Sequence, residues 1–231
     1  MLRAASLAAL CNIANASVSN PVLDGLVAYW KMDEAGSVPR LDSSGNAHTL
    51  AVNGTVNSGA GKINNGAVTN GAGANFLSCA DAVFSGVAPF TAFVWFAPAV
   101  ANASLYIISH YNPGLLQGWA IRQDSTSNNF QLRINADLLY PGVTIVPGTF
   151  YLVIITIEAT QRTIRVNNGA DVVAAADVPL NPAVNFVVGG NSAGGTFSGT
   201  LDEVGIYNRV LTSAEKDALW NAGAGKQYPF T

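Results

Sequence analysis

The clearest local pattern lies in NFQLRIN (residues 129–135), where Phe130, Leu132 and Ile134 alternate with Gln131, Arg133 and Asn135. A period of two predicts a strand with one buried face and one wet face. LVAYWKMD (26–33), TAFVWFA (91–97), SLYIISH (104–110) and TFYLVIITIE (149–158) are apolar on both faces, as strands beneath a second layer are. In TIRVNNGADVV (163–173), Asn168-Gly169 stands between two β-prone runs, a hairpin signal, and VNFVVGG (184–190) and GTLDEVGIY (199–207) supply the last strands. Clusters of Gly, Asn, Ser and Pro separate these runs, the arrangement of a sandwich or jelly roll.

Residues 53–75 are rich in Gly and Asn but carry apolar points at Val56, Ile63 and Val68. They are predicted to form loops and short strands within one domain, not a linker. The one helical signal comes at the end. Thr212 followed by Glu215 is a capping box, Ala214, Ala218 and Leu219 form a narrow apolar stripe, and Gly223 closes the run. Trp220 is expected to anchor this helix to the sandwich.

Just before the helix, strict alternation places Asp202 on the face of Val204 and Ile206, and Glu203 on the face of Leu201 and Tyr207. Asp202 then sits at a buried margin, where a carboxylate must be hydrogen-bonded or must bind a cation. Calcium, which favours carboxylate and carbonyl oxygens, is the cation to consider. Glu203 and Glu215 read as structural.

Composition narrows the function classes. The chain of 231 residues is long enough for one sizeable core, and only 11% of it is charged, a sheet-and-turn composition. A net charge of −3 without a Lys/Arg cluster offers no stripe for phosphates, so nucleic acid is excluded as a partner. No apolar run reaches the roughly 18 residues of a membrane span. Cys11 and Cys79 match neither a metal spacing nor a disulfide framework. Residues 1–20 carry Leu7, Leu10 and Ala14 at helical spacing and end at Asn20-Pro21, which predicts a retained arm docking on a partner. The alternative is a cleaved secretory signal, given one Arg, a short apolar stretch and an Ala-x-Ala-like end.

Four segments, GLVAYWKMDEAGS (25–37), LDSSGNAHTL (41–50), GTFYLVIITIEATQRTIRVNNG (148–169) and GTLDEVGIYNRVLTSAEKDAL (199–219), together resemble the laminin-G-like or concanavalin-A-like lectin/glucanase jelly rolls. The last is the most specific. The resemblance implies an all-β fold of two antiparallel sheets packed face to face, here with a short C-terminal helix and an N-terminal arm. It divides the chain into the arm (1–20) and the jelly roll (21–231). Members bind glycans or proteins, act as β-glucanases, or serve as repeated adhesion or virion-associated modules. A structural calcium near the final strand is implied by the same likeness, with Asp202 as the first candidate ligand and Asp33 and Asp42 as further ones.

Catalysis finds little support. Glu34, Glu158, Glu203 and Glu215 are the only glutamates, and none has an acidic partner two residues away except on the C-terminal helix. The spaced-acid strand motif of the glucanase branch is missing. His48 lies in a turn without a ligand-spaced partner, and His110 ends an apolar strand as a core-margin histidine does. No Ser or Cys stands in a nucleophile elbow. Among the aromatics, Trp30 and Trp95 read as core, whereas Trp119, Tyr111 and Tyr140, beside loop Pro and Gly residues, are the candidates for an exposed glycan site. The DSSGN turn at 42–46 reads as an Asx or Ser turn, with a calcium loop as the sharper alternative.

The sequence therefore predicts a non-catalytic structural or adhesion module of a larger assembly, such as a phage decoration, collar or fibre-base protein contacting host-surface glycans. Its setting would be a virion or an extracellular surface, and its partners other subunits of the assembly. The alternative is a secreted carbohydrate-binding, lectin-like module.

Overall fold

The structure, a computed structural model, describes residues 20–80, 84 and 88–231. The arm at 1–19 and Cys11 lie outside the described residues. The apolar runs form the central strands of two antiparallel sheets. In the first, β11 (Tyr151–Ile157) pairs along its whole length with β6 (Phe90–Pro98), followed outward by β12 (Gln161–Val166) and β13 (Val172–Ala175), which form the expected hairpin. On the other side of β6 lies β15 (Ser198–Tyr207). The start of β15 pairs with β4 (Asn65–Asn70) and then β3 (Asn57–Ala60), while its end pairs with β1 (Leu26–Trp30). The Gly/Asn-rich stretch thus supplies β3 and β4.

The second sheet runs β10 (Asp137–Leu139), β9 (Phe130–Ile134), β8 (Gln117–Gln123), β7 (Leu105–Asn112), β14 (Phe186–Val188), β5 (Phe76–Cys79), β2 (Ala51–Asn53). The inner faces of both sheets meet in one core, in which Trp30, Phe96, Ile121, Leu132, Ile155, Phe186 and Leu201 are sealed from water. Face-to-face burial of this kind accounts for the inward-facing half of each apolar run, and the other half requires a cover on the outer face.

The outer faces differ. That of the first sheet is covered by α1 (Ser213–Trp220), the C-terminal tail and Val22, which close over Tyr29, Phe93, Trp95, Leu152, Ile154 and Tyr207. The capping box forms as expected, and Trp220 stacks on Trp95 with ring centroids 5.3 Å apart. Asn20 Nδ2 donates to the carbonyls of Pro229 and Phe230, both at 2.9 Å, clasping the tail. Over the second sheet's outer face no described helix packs. Among the described residues no helix is long and apolar enough to cross a membrane.

Candidate functional site

The acidic residues gather under the C-terminal tail. Alternation fails in β15, because its register against β6 shifts between Asp202 and Gly205 and Glu203 adopts a left-handed φ of 46°. This is a β-bulge, which inserts residues without a partner and changes the phase of the strand. Leu201, Val204 and Ile206 all line the inner core. Asp202, directly opposite Trp95, faces outward, correcting the placement expected from its neighbours.

There Asp202 Oδ2 accepts from the backbone N–H of Lys62 (2.7 Å) and Ile63 (2.9 Å), and Oδ1 from that of Glu203 (3.0 Å). Gln227 Nε2 donates both to Glu203 Oε1 (2.8 Å) and to Asp33 Oδ2 (2.9 Å). Glu203 Oε2 is buried and accepts no hydrogen bond. Burial pushes the carboxyl groups of Asp202 and Glu203 up to about 8, a shift that the three backbone donors oppose at Asp202 and the single amide opposes at Glu203.

Asp42, the third expected ligand, lies apart from this cluster. Its Oδ1 accepts from Tyr29 N and Ser44 N, and its Oδ2 from His48 N, so the DSSGN segment is an Asx turn that pins β1. Asp202, Asp33 and Asp42 therefore do not surround a common point. Among the described residues no group of three His, Cys, Asp or Glu side chains is arranged to hold a metal ion. Oxygen chemistry suited to calcium is present where Asp33 and Glu203 meet Gln227, and Glu203 Oε2 is orphaned there. From the sequence Glu203 reads as merely structural, because nothing in the local pattern announces the bulge.

The aromatic candidates separate as cleanly. Trp119 is fully buried on the inner face, with its indole N–H donated to Phe84 O at 3.1 Å, so it is core and offers no glycan platform. Opposite it lies His110, 2% exposed, whose pKa burial lowers. Tyr111 is also buried, against the expectation of exposure, but it stands on the outer face of the second sheet. Tyr140, 39% exposed, lies at the rim of that face and accepts from Gln131 Nε2 at 3.2 Å.

This outer face carries a layered array. Tyr106 and Tyr111 stack at 5.9 Å, the Arg122 guanidinium lies 4.9 Å over Tyr106, and that of Arg133 lies 5.0 Å over Tyr111. The ladder explains the grouping: Tyr106 faces Arg122, Arg122 faces Gln131, and Arg133 faces Ala120. Arg122 also donates to Ser104 Oγ, and Arg133 Nε donates to Asn135 O at 3.1 Å. Tyr111 OH donates to Asn135 O, and Ser192 Oγ to Tyr111 O, so loops wall the array at one end. Burial raises the Tyr111 pKa, which keeps the phenol neutral. The face read from NFQLRIN as wet is thus polar yet largely enclosed, with Gln131 only 1% exposed. Tyr106, Arg122 and Arg133 are not legible as a group in the sequence, since only the sheet register brings them together.

Comparison with known proteins adds a family and a fold. Residues 69–215 match the family described as the concanavalin A-like lectin/glucanases superfamily. No curated protein matches the chain by sequence. Domain 4 of an extracellular arabinanase from Geobacillus stearothermophilus, in complex with arabinotriose, is similar in structure, with a TM-score of 0.63 and 18% identity over 82% of this chain and 95% of that one. Trypanosoma rangeli sialidase in complex with sialic acid has a TM-score of 0.65 and 20% identity, over 88% of this chain and 34% of the sialidase. The binding domain of Paraclostridial Mosquitocidal Protein 1 has a TM-score of 0.68 and 18% identity, over 87% and 53%. The chain thus spans about a third of the sialidase and half of the toxin domain. At these identities the likeness is one of fold.

Proposed function

Because the chain belongs to the concanavalin A-like lectin/glucanases superfamily, we propose that it is a non-catalytic carbohydrate-binding module whose ligand lies on the outer face of the second sheet. The observation that carries this reading is the outer face of the second sheet, over which no described helix packs: the partly exposed Arg133 and the exposed Tyr140 stand there over a largely buried array of Tyr106, Tyr111, Arg122 and Gln131. Rings, guanidinium groups and an amide are the groups that engage a sugar's apolar face and its hydroxyls. The arabinanase domain and the sialidase, both solved with saccharides, are in keeping with a glycan ligand here.

Binding to a panel of soluble polysaccharides, followed by affinity electrophoresis, tests it. Tyr140→Ala, at the exposed rim, should weaken binding by roughly two- to tenfold, the equivalent of about 0.5–1.5 kcal/mol of ring contact. Failure of the intact protein to bind any glycan would sink the reading. A catalytic role for Asp202 and Glu203 is disfavoured because both are wholly buried, out of reach of a polymer. Release of reducing sugar that disappears on replacing a single acid would show an enzyme instead.

A structural calcium held by Asp33 and Glu203 is a second reading, favoured by the orphaned Glu203 Oε2. Its role would be to neutralise the buried carboxylates and fasten the tail. Calcium should raise Tm relative to chelator in the wild type and leave Glu203→Gln unmoved; no calcium effect on the wild type removes this reading. The assembly setting rests on the sequence of residues 1–20, and native mass together with N-terminal mass from the natural source decides it. A large particle with Met1 intact favours a virion or surface component, and a monomer starting near Ser17 a secreted lectin.

A further inference from the structure

Six arginines fall among the described residues. Four have carboxylate partners: Arg40 with Glu34, Arg162 with Asp137 and Asp177, Arg165 with Asp171 and Asp217, and Arg209 with Asp24 and Glu215. Arg122 and Arg133 form no ion pair among the described residues, and both lie in the array on the second sheet. Arg122 is 9% exposed, and its Nε–H has no acceptor. Gln131, which faces it across the ladder, leaves Oε1 without a donor. Arg133 is the diagonal neighbour of Arg122, a relation that sets backbone positions about 7–8 Å apart. Two like charges held this close on an enclosed face repel each other, and a bound anion relieves both. Each guanidinium lies over a tyrosine ring and donates a hydrogen bond within the array, which restricts its orientation before any ligand arrives. Its N–H edge suits the two oxygens of a carboxylate better than a mobile ammonium would.

We propose that this face binds an acidic glycan, a polysaccharide or oligosaccharide bearing sugar carboxylates, with the partly exposed Arg133 receiving the carboxylate and Arg122, buried beside it, adding its positive charge. The proposal rests on the reading of the face as a carbohydrate site and adds the charge of the ligand. A chain with net charge −3 has no general attraction for polyanions, so binding of this kind has to be local.

Polygalacturonate and its fully methyl-esterified form share a backbone and differ in charge, which makes them the central probes. Alginate and hyaluronan extend the acidic arm, and arabinan serves as a neutral polymer. Binding of the intact chain is measured at low and moderate salt, with Arg133→Gln, Arg122→Lys and, as a surface-charge control, Lys226→Gln. Thermal melts of each variant establish folding, and Arg133, partly exposed, keeps the site testable even if Arg122→Lys is unstable. We expect retention by at least one carboxylated polymer, no retention by the ester, and about a tenfold or greater loss in Arg133→Gln, with Lys226→Gln unchanged. Equal binding to acid and ester, or binding to arabinan alone, would overturn the acidic ligand while leaving the carbohydrate module standing. Acidic binding untouched by Arg133→Gln would overturn the site. Binding to no polymer would overturn both readings together.

Discussion

Glu215 serves several partners at once. Its Oε2 accepts from Thr212 N at 2.7 Å to complete the capping box, while Arg209 reaches both carboxylate oxygens, at 2.9 and 2.6 Å. The hydrogen bonds from Arg209, the largest influence, hold its pKa below the ordinary 4.5 against the opposing pull of burial. A carboxyl group whose folded pKa is depressed contributes stability that is complete above its unfolded pKa and is lost as pH falls through the folded value. Glu215→Gln should therefore cost about 1–3 kcal/mol at neutral pH and flatten the loss of stability below about pH 4.5, as read by urea melts across pH. This residue is legible from Thr-x-x-Glu alone, because a cap is a local event. Arg209 is not, because its approach depends on the turn between β15 and α1.

At the scale of elements, alternation locates most of the core strands, since a strand buried on two sides has to be apolar throughout. It misjudges β15 at one point, the bulge at Asp202–Glu203, where the backbone changes phase without any change in composition. The hairpin β7–β8 has a comparable hidden constraint. Gly118 has φ of +99°, and a Cβ there would stand 2.0 Å from His110 O and 3.1 Å from Pro182 Cγ. Gly118→Ala should thus destabilise by about 1–3 kcal/mol or more through strain and overpacking. Because Gly118 pairs with Tyr111, glycan binding should weaken alongside the shift in the denaturation midpoint. Trp220→Ala, which removes the partly buried ring stacked on Trp95, should lower stability by about 1–3 kcal/mol while leaving glycan binding intact, since α1 lies over the other sheet.

For the molecule as a whole, the family match ends at residue 215, yet the tail beyond it completes the fold. Phe230 and Tyr228 pack on Tyr29, and Gln227 supplies the hydrogen bonds to Asp33 and Glu203. Truncation after Gly223 should cost several kcal/mol, because it bares the outer cluster of the first sheet and strands the buried Glu203 carboxyl group, and thermal melting would register it. The two-sheet architecture can be read from the sequence because the pairing of apolar runs is dictated by burial. Which outer face is covered and which carries the arginines cannot, because that follows from where α1 and the tail fold back.

The clasp of Asn20 on Pro229 and Phe230 has a consequence for how the protein presents itself. Residue 20 and the tail residues 229–230 meet on the covered sheet, so a tether joined at this seam would meet the domain from its back. The tyrosine–arginine array lies on the opposite sheet, so a tether at this seam would leave that face unobstructed.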